Sequence, residues 1–99
     1  MRQGTTPKHT FTIPFDTSVA RKVRVIYAQD DIVKILKKEA DCELTGNKIV
    51  TRLTQEETFR LNPYQKTNIQ VRVFTRDGDS FVSKIVTVKT EQCLDKEVL

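Results

Sequence analysis

Ile69-Gln70-Val71-Arg72-Val73-Phe74-Thr75-Arg76-Asp77-Gly78-Asp79-Ser80-Phe81-Val82 decides the fold class. Ile69, Val71 and Val73 alternate with Gln70, Arg72 and Phe74, so one side of an extended segment is apolar and the other mixed. Asp77-Gly78 then supplies the positive φ that a tight reversal demands, and the chain returns through Phe81, Val82, Ile85, Val86 and Val88. The alternation slips between Val82 and Ile85, which predicts a bulge or a strand that changes neighbours.

The same period runs back through the chain. Val23, Val25 and Tyr27 alternate with Lys22, Arg24 and Ile26, and Asp30-Asp31 supplies a turn into Ile32–Lys37. The buried side of that third strand is ambiguous, because Val33-Ile35 and Ile32-Leu36 compete for it. Cys42 and Leu44 form one arm of a hairpin, Gly46-Asn47 its turn, and Ile49, Thr51 and Leu53 the inward side of the other arm. Nearer the start, Phe11, Ile13 and Phe15 alternate with Thr10, Thr12 and Pro14. Pro14 lacks an amide proton, which places it at a strand edge or end. Thr54-Gln55-Glu56-Glu57 has the spacing of a capping box, and Asn62-Pro63 stops the helical turn it starts near residues 54–60. Leu53, Phe59 and Leu61 are placed to close one end of the core.

Six or seven short strands about ten residues apart, with one helical turn, predict an all-β fold. Each amphipathic strand needs a second sheet to cover its apolar side, so the expectation is a two-sheet β-sandwich. Residues 1–8 read as a flexible leader, 9–90 as the sandwich domain, and 91–99 as a polar tail, loose or partly helical.

Composition narrows the function. The 99 residues contain 37% hydrophobic and 30% charged residues, with no Trp, so Val, Ile, Leu and Phe must build the core. A formal charge of +4 raises the question of nucleic acid, but acids are scattered among the bases without a run of five or six like charges. That pattern suits solubility better than a phosphate-docking stripe. The longest apolar run, Val25-Ile26-Tyr27-Ala28, is far too short to cross a bilayer, and no signal peptide is evident, so the expectation is a soluble, cytoplasmic protein.

Catalytic sets are sparse. His9 is the only histidine and has no acid nearby in sequence. Cys42 lies beside Asp41 and Glu43, whose charges raise a thiol pKa, which disfavours it as a nucleophile. Cys42 and Cys93 have no metal-ligand spacing and are expected as reduced, half-buried thiols. Asp77 and Asp79 around Gly78 lack the other oxygen ligands of a calcium loop. Glu56-Glu57 are explained by capping, and three scattered glycines cannot make a phosphate loop. No catalytic residue, cofactor, metal or small-molecule substrate is therefore expected. The candidate interaction surface is Arg72 with Phe74, a cation and an aromatic on one side of the same strand, a combination enriched where proteins meet.

Several stretches resemble small proteins from phages and prophages of Gram-positive bacteria: Arg2-Gln3-Gly4-Thr5-Thr6-Pro7, Thr10–Asp16, Leu53–Thr58 and Ile69–Gly78. The order of elements is similar to the N-terminal immunoglobulin-like domain of phage upper baseplate proteins. There a strand ends in a Leu-Thr helical turn, followed by a Tyr-containing approach (here Asn62-Pro63-Tyr64) and a final hairpin. The resemblance implies an immunoglobulin-like sandwich in a non-enzymatic, tail- or baseplate-type assembly module. Its partners would be other protein subunits, further copies of itself among them, and its place the bacterial cytoplasm or the virion. The competing expectation is a small nucleic-acid-binding or regulatory protein of a mobile element.

Overall fold

In the computed structural model, which describes residues 1–99, eight strands follow one another along the chain. They are β1 (Lys8–Thr12), β2 (Ala20–Gln29), β3 (Ile32–Lys38), β4 (Glu43–Thr45), β5 (Lys48–Arg52), β6 (Lys66–Thr75), β7 (Ser80–Val82) and β8 (Val86–Lys89), with a short helix α1 (Gln55–Phe59) between β5 and β6. All pairings between strands are antiparallel. One sheet has the order β1-β5-β4 and the other β3-β2-β6-β7, with β8 also paired to β6. The orders match B-E-D and C′-C-F-G of the immunoglobulin sandwich, with no strand in the position of A. The fold is the expected two-sheet all-β sandwich.

The core follows from the alternation. Val23, Val25 and Tyr27 of β2, Ile35 of β3 and Ile69, Val71 and Val73 of β6 face Ile49, Leu53 and Ile13 across the sandwich, all buried. Burying each such side chain contributes roughly 1.5–3 kcal/mol, so this cluster is the main source of stability. Leu61 joins it from beyond α1. Thr54 caps α1 as its spacing predicts: its hydroxyl accepts from the Glu57 amide at 3.1 Å, and the Glu57 carboxylate accepts from the Thr54 amide at 2.9 Å. Lys37 donates to the same carboxylate at 2.7 Å, tying β3 to the helix in a largely buried ion pair.

Two irregularities explain the ambiguous stretches. Tyr27 pairs with Ile35 but Ala28 with Val33, so Lys34 is an extra residue in β3. Ile35 therefore points inward while Val33 and Leu36 both lie on the outer side, and neither simple alternation holds along the whole strand. The return from the Asp77-Gly78 turn behaves the same way. Arg72 pairs with Val82 and Ile69 with Val86, one residue out of step. The strand does not change neighbours. Ser83 fills the gap: its hydroxyl accepts from the Val71 amide and its own amide donates to the Val71 carbonyl, both at 2.9 Å. β7 and β8 therefore run one after the other along the same flank of β6, separated by the bulge at Ser83.

Turns carry the expected chemistry. Asp30 and Asp31 both have positive φ (49° and 61°), the signature of a two-residue type I′ hairpin turn, and Gly78 has φ 89°. β1 ends at Thr12, two residues before Pro14, and lies at a sheet edge.

The two ends of the chain depart from expectation. Residues 1–8 are expected as a flexible leader, but Lys8 already belongs to β1 and residues 1–7 are laid across one end of the sandwich. The Met1 amine donates to the Lys89 carbonyl, the Gln3 amide to the Glu91 carbonyl and the Gly4 amide to the Thr58 hydroxyl. Buried Gln3 also donates to the Leu61 carbonyl at 2.8 Å. The tail beyond Thr90 forms no helix. Its amides at Glu91 and Cys93 donate to the Met1 carbonyl and the Gln3 side chain.

Candidate functional site

Period two puts Lys22, Arg24, Ile26 and Ala28 of β2, and Asn68, Gln70, Arg72 and Phe74 of β6, on the outer side of the five-stranded sheet. Register then decides which of them meet. Arg24 lies directly opposite Arg72 and Lys22 opposite Phe74, while on the other flank Arg72 faces Val82 and Phe74 faces Ser80. Between them runs a shallow groove of about 350 Å³ lined by Lys22, Arg24, Arg72, Phe74 and Ser80. The two residues expected to form an interaction surface thus share one groove, with two further cations from β2 beside them.

Like charges directly opposite each other across a sheet are unfavourable. Arg24 resolves its share by donating to Glu39 at 2.7 Å, and Glu39 also accepts from the Val23 amide at 3.2 Å. Backbone amides first, and Arg24 after them, hold the Glu39 carboxyl below the usual carboxylate range. Arg72 and Lys22 have no ion-pair partner, so the groove keeps an excess of positive charge. Its surroundings are apolar. Ile26 pairs with Leu36 and Ala28 with Val33, and exposure reaches 44% at Leu36, 56% at Val33, 49% at Val82 and 37% at Phe74. The outer side of this sheet interleaves these exposed apolar residues with Gln70 and Asn68, opposite Ile26 and Ala28, and has a cationic end.

The remaining candidates lie elsewhere. His9 projects from β1 into the space between the sheets, its Nδ1 2.7 Å from the hydroxyl of Tyr27, which in turn lies 3.0 Å from the Thr51 hydroxyl. Tyr27 thus spans the sandwich from β2 to β5 and β1. Burial pushes its hydroxyl up to about 12 and lowers the His9 pKa. Cys42 makes no hydrogen bond to His9. Burial and then Asp41 push its thiol up to about 11, so it is protonated at neutral pH and a poor nucleophile. Both cysteines are free and half-buried. Asp77 and Asp79 belong to the β6–β7 turn, and Asp79 hydrogen-bonds with Thr75. No group of three or more His, Cys, Asp or Glu side chains comes together, and no helix is long and apolar enough to cross a membrane.

Lys22, Arg24 and Glu39 escape a reading from sequence alone. The outward direction of Lys22 and Arg24 is visible in the alternation of β2, but nothing local says that β2 pairs with β6 rather than with the neighbouring hairpin. Glu39 reaches Arg24 from a single 3₁₀ turn, Glu39–Asp41, that no periodic signal announces. Comparison with known proteins adds nothing to the geometry: the chain matches no protein-family profile, no curated protein and no solved structure.

Proposed function

We propose that this chain is a non-enzymatic binding module that docks another protein subunit on the outer side of its five-stranded sheet. The phage and prophage resemblance makes a tail- or baseplate-type assembly role its natural setting. One observation carries the reading: Arg72 and Lys22, cations without ion-pair partners, flank half-exposed Phe74 at the end of a face that also exposes Val33, Leu36 and Val82. A partner with Asp or Glu beside apolar side chains complements that surface in both charge and hydrophobicity. Ten-residue strands about 33 Å long, across four strands about 4.8 Å apart, present on the order of 500 Å². That approaches the roughly 800 Å² per partner of a standard interface. Nucleic acid fits less well, because single strands need successive aromatic platforms and the groove has only Phe74.

Amide chemical shifts test this with two probes, an acidic peptide alternating Glu or Asp with Leu or Phe, and a single-stranded oligonucleotide. The peptide is expected to shift the amides of Lys22, Arg24, Arg72 and Phe74. Arg72→Glu is expected to weaken it at least about tenfold, roughly 1.4 kcal/mol, with the fold intact. Tighter binding of the oligonucleotide, with a steep loss in salt, would move the reading to nucleic acid. Silence with both probes at millimolar concentration would end the docking reading.

A further inference from the structure

The sandwich has four free strand edges, and they are not equally protected. β3 carries the extra residue Lys34 together with Lys37 and Lys38, and bulges and lysines are the usual guards against edge pairing. β4 is three residues long. The edge formed by β7 and β8 is broken by the bulge at Ser83. β1 alone runs five residues without interruption, and its guards, Pro7 and Lys8 at one end and Pro14 beyond the other, leave Thr10 and Thr12 unprotected. Immunoglobulin sandwiches fill this position with strand A. Here residues 1–7 cross the end of the sandwich to Lys89, Glu91 and Thr58 instead, leaving the flank of β1 bare.

The register states which groups are free. The Leu53 amide donates to the Pro7 carbonyl and the Ile13 amide to the Asn47 carbonyl, with Phe11 opposite Ile49 and His9 opposite Thr51. In an antiparallel ladder alternate residues turn both backbone groups to the same neighbour. The odd-numbered residues therefore face β5, and the amides and carbonyls of Lys8, Thr10 and Thr12 point away from it. The Lys8, Thr10 and Thr12 side chains are exposed, while His9 and Phe11 point inward.

We propose that a second copy of this chain pairs here, β1 against β1, about a two-fold axis through Thr10. The sequence of β1 suits its own antiparallel image. Thr10 meets Thr10, and Lys8 meets Thr12 of the other copy, so no like charges oppose and a favourable Thr–Thr pair lies on the axis. About six backbone hydrogen bonds join the copies. The two three-stranded sheets merge into one continuous sheet of order β4-β5-β1-β1-β5-β4. The outer sides of the two five-stranded sheets stay open, so the dimer presents two docking surfaces at fixed separation.

Sedimentation of the wild type over a concentration series, alongside Thr10→Pro and Thr12→Pro, tests the pairing. Both prolines remove an amide that makes no bond within the monomer, so the fold survives. The wild type is expected to double its 11.4 kDa mass with concentration. Each proline is expected to weaken association at least about tenfold, with an unchanged circular dichroism spectrum. Exchange of the Thr10 and Thr12 amides is expected to slow in the dimer, a readout that holds even if a proline variant fails to fold. A wild type that stays monomeric up to about 1 mM would overturn the proposal. So would a dimer that ignores both prolines and leaves those amides exchanging freely. Arg72→Glu leaves the pairing unchanged, so this surface and the docking groove fail or stand separately.

Discussion

The two sheets bury themselves by different chemistry. The inner side of the five-stranded sheet is aliphatic along its centre: Val23 and Val25 of β2 lie beside Val73 and Val71 of β6, all four almost without solvent contact. The three-stranded sheet is shorter and mixes Ile49 and Leu53 with buried Thr51 and half-buried His9 and Phe11. Its attachment depends partly on the hydrogen-bonded row His9–Tyr27–Thr51 that crosses the seam. The longer sheet is held by an aliphatic centre, while the thinner one is joined to it partly by polar contacts and has β1 at its edge.

The largest effect should come from putting a charge into the aliphatic centre. Val71→Asp leaves a carboxylate with no counter-charge in the core, a loss of about 5 kcal/mol or more. Whole domains have only roughly 5–15 kcal/mol of stability, so circular dichroism should show the variant unfolded. Leu44→Asp, at the half-buried edge strand β4, should stay folded and lose about 1–3 kcal/mol in urea titration. Equal losses at the two positions would mean that the sheets share the core evenly and the contrast between them is false.

Removing the polar stitch comes next. Tyr27→Phe keeps the ring in place but takes the hydroxyl from between His9 and Thr51, leaving the Thr51 hydroxyl buried without that partner. Such a loss costs about 1–3 kcal/mol. The variant should also exchange the amides of β1 and β5 faster than those of β2 and β6, because the seam opens on the side of the thinner sheet. Uniform acceleration everywhere would show that Tyr27 acts only as bulk.

These contrasts were unequally legible in the sequence. The β6–β7 turn and the β4–β5 hairpin could be read because period two and a glycine of positive φ coincide in each. The inward side of β3 could not, since the extra residue Lys34 shifts the alternation halfway along. The slip between Val82 and Ile85 was visible, yet its form, one bulged strand on one neighbour, depends on Ser83 bonding to Val71 across the sheet. The same limit applies to the site. Arg72 and Phe74 are adjacent within one strand and could be read together, whereas Lys22 and Arg24 join them only through long-range pairing. The anchoring of residues 1–7 also escaped, because Gln3 is buried by Leu61 and Lys96, distant in sequence, and not by anything in its own composition.

The smallest effect is a dependence on pH, and it tests the seam from the other direction. Burial first, and the positive N-terminal amine second, lower the His9 pKa below 6.5 in the folded protein. The folded state therefore resists protonation that the unfolded chain accepts. Above about pH 6.5 the ring is neutral in both states and contributes no pH dependence. As pH falls through 6.5 the unfolded chain takes up the proton first, so stability declines until the folded His9 also titrates. One proton limits the slope to about 1.4 kcal/mol per pH unit. Glu57, Glu39 and Asp16 have lowered pKa values, so their stabilisation is lost only as pH falls below the ordinary carboxylate range. Urea midpoints between about pH 7.5 and 5.5 isolate the imidazole, and His9→Gln should flatten the curve there while keeping an acceptor for Tyr27. If wild type and His9→Gln decline in parallel, His9 is as well solvated folded as unfolded. The seam would then be wet, and the thinner sheet would be held by its aliphatic residues alone.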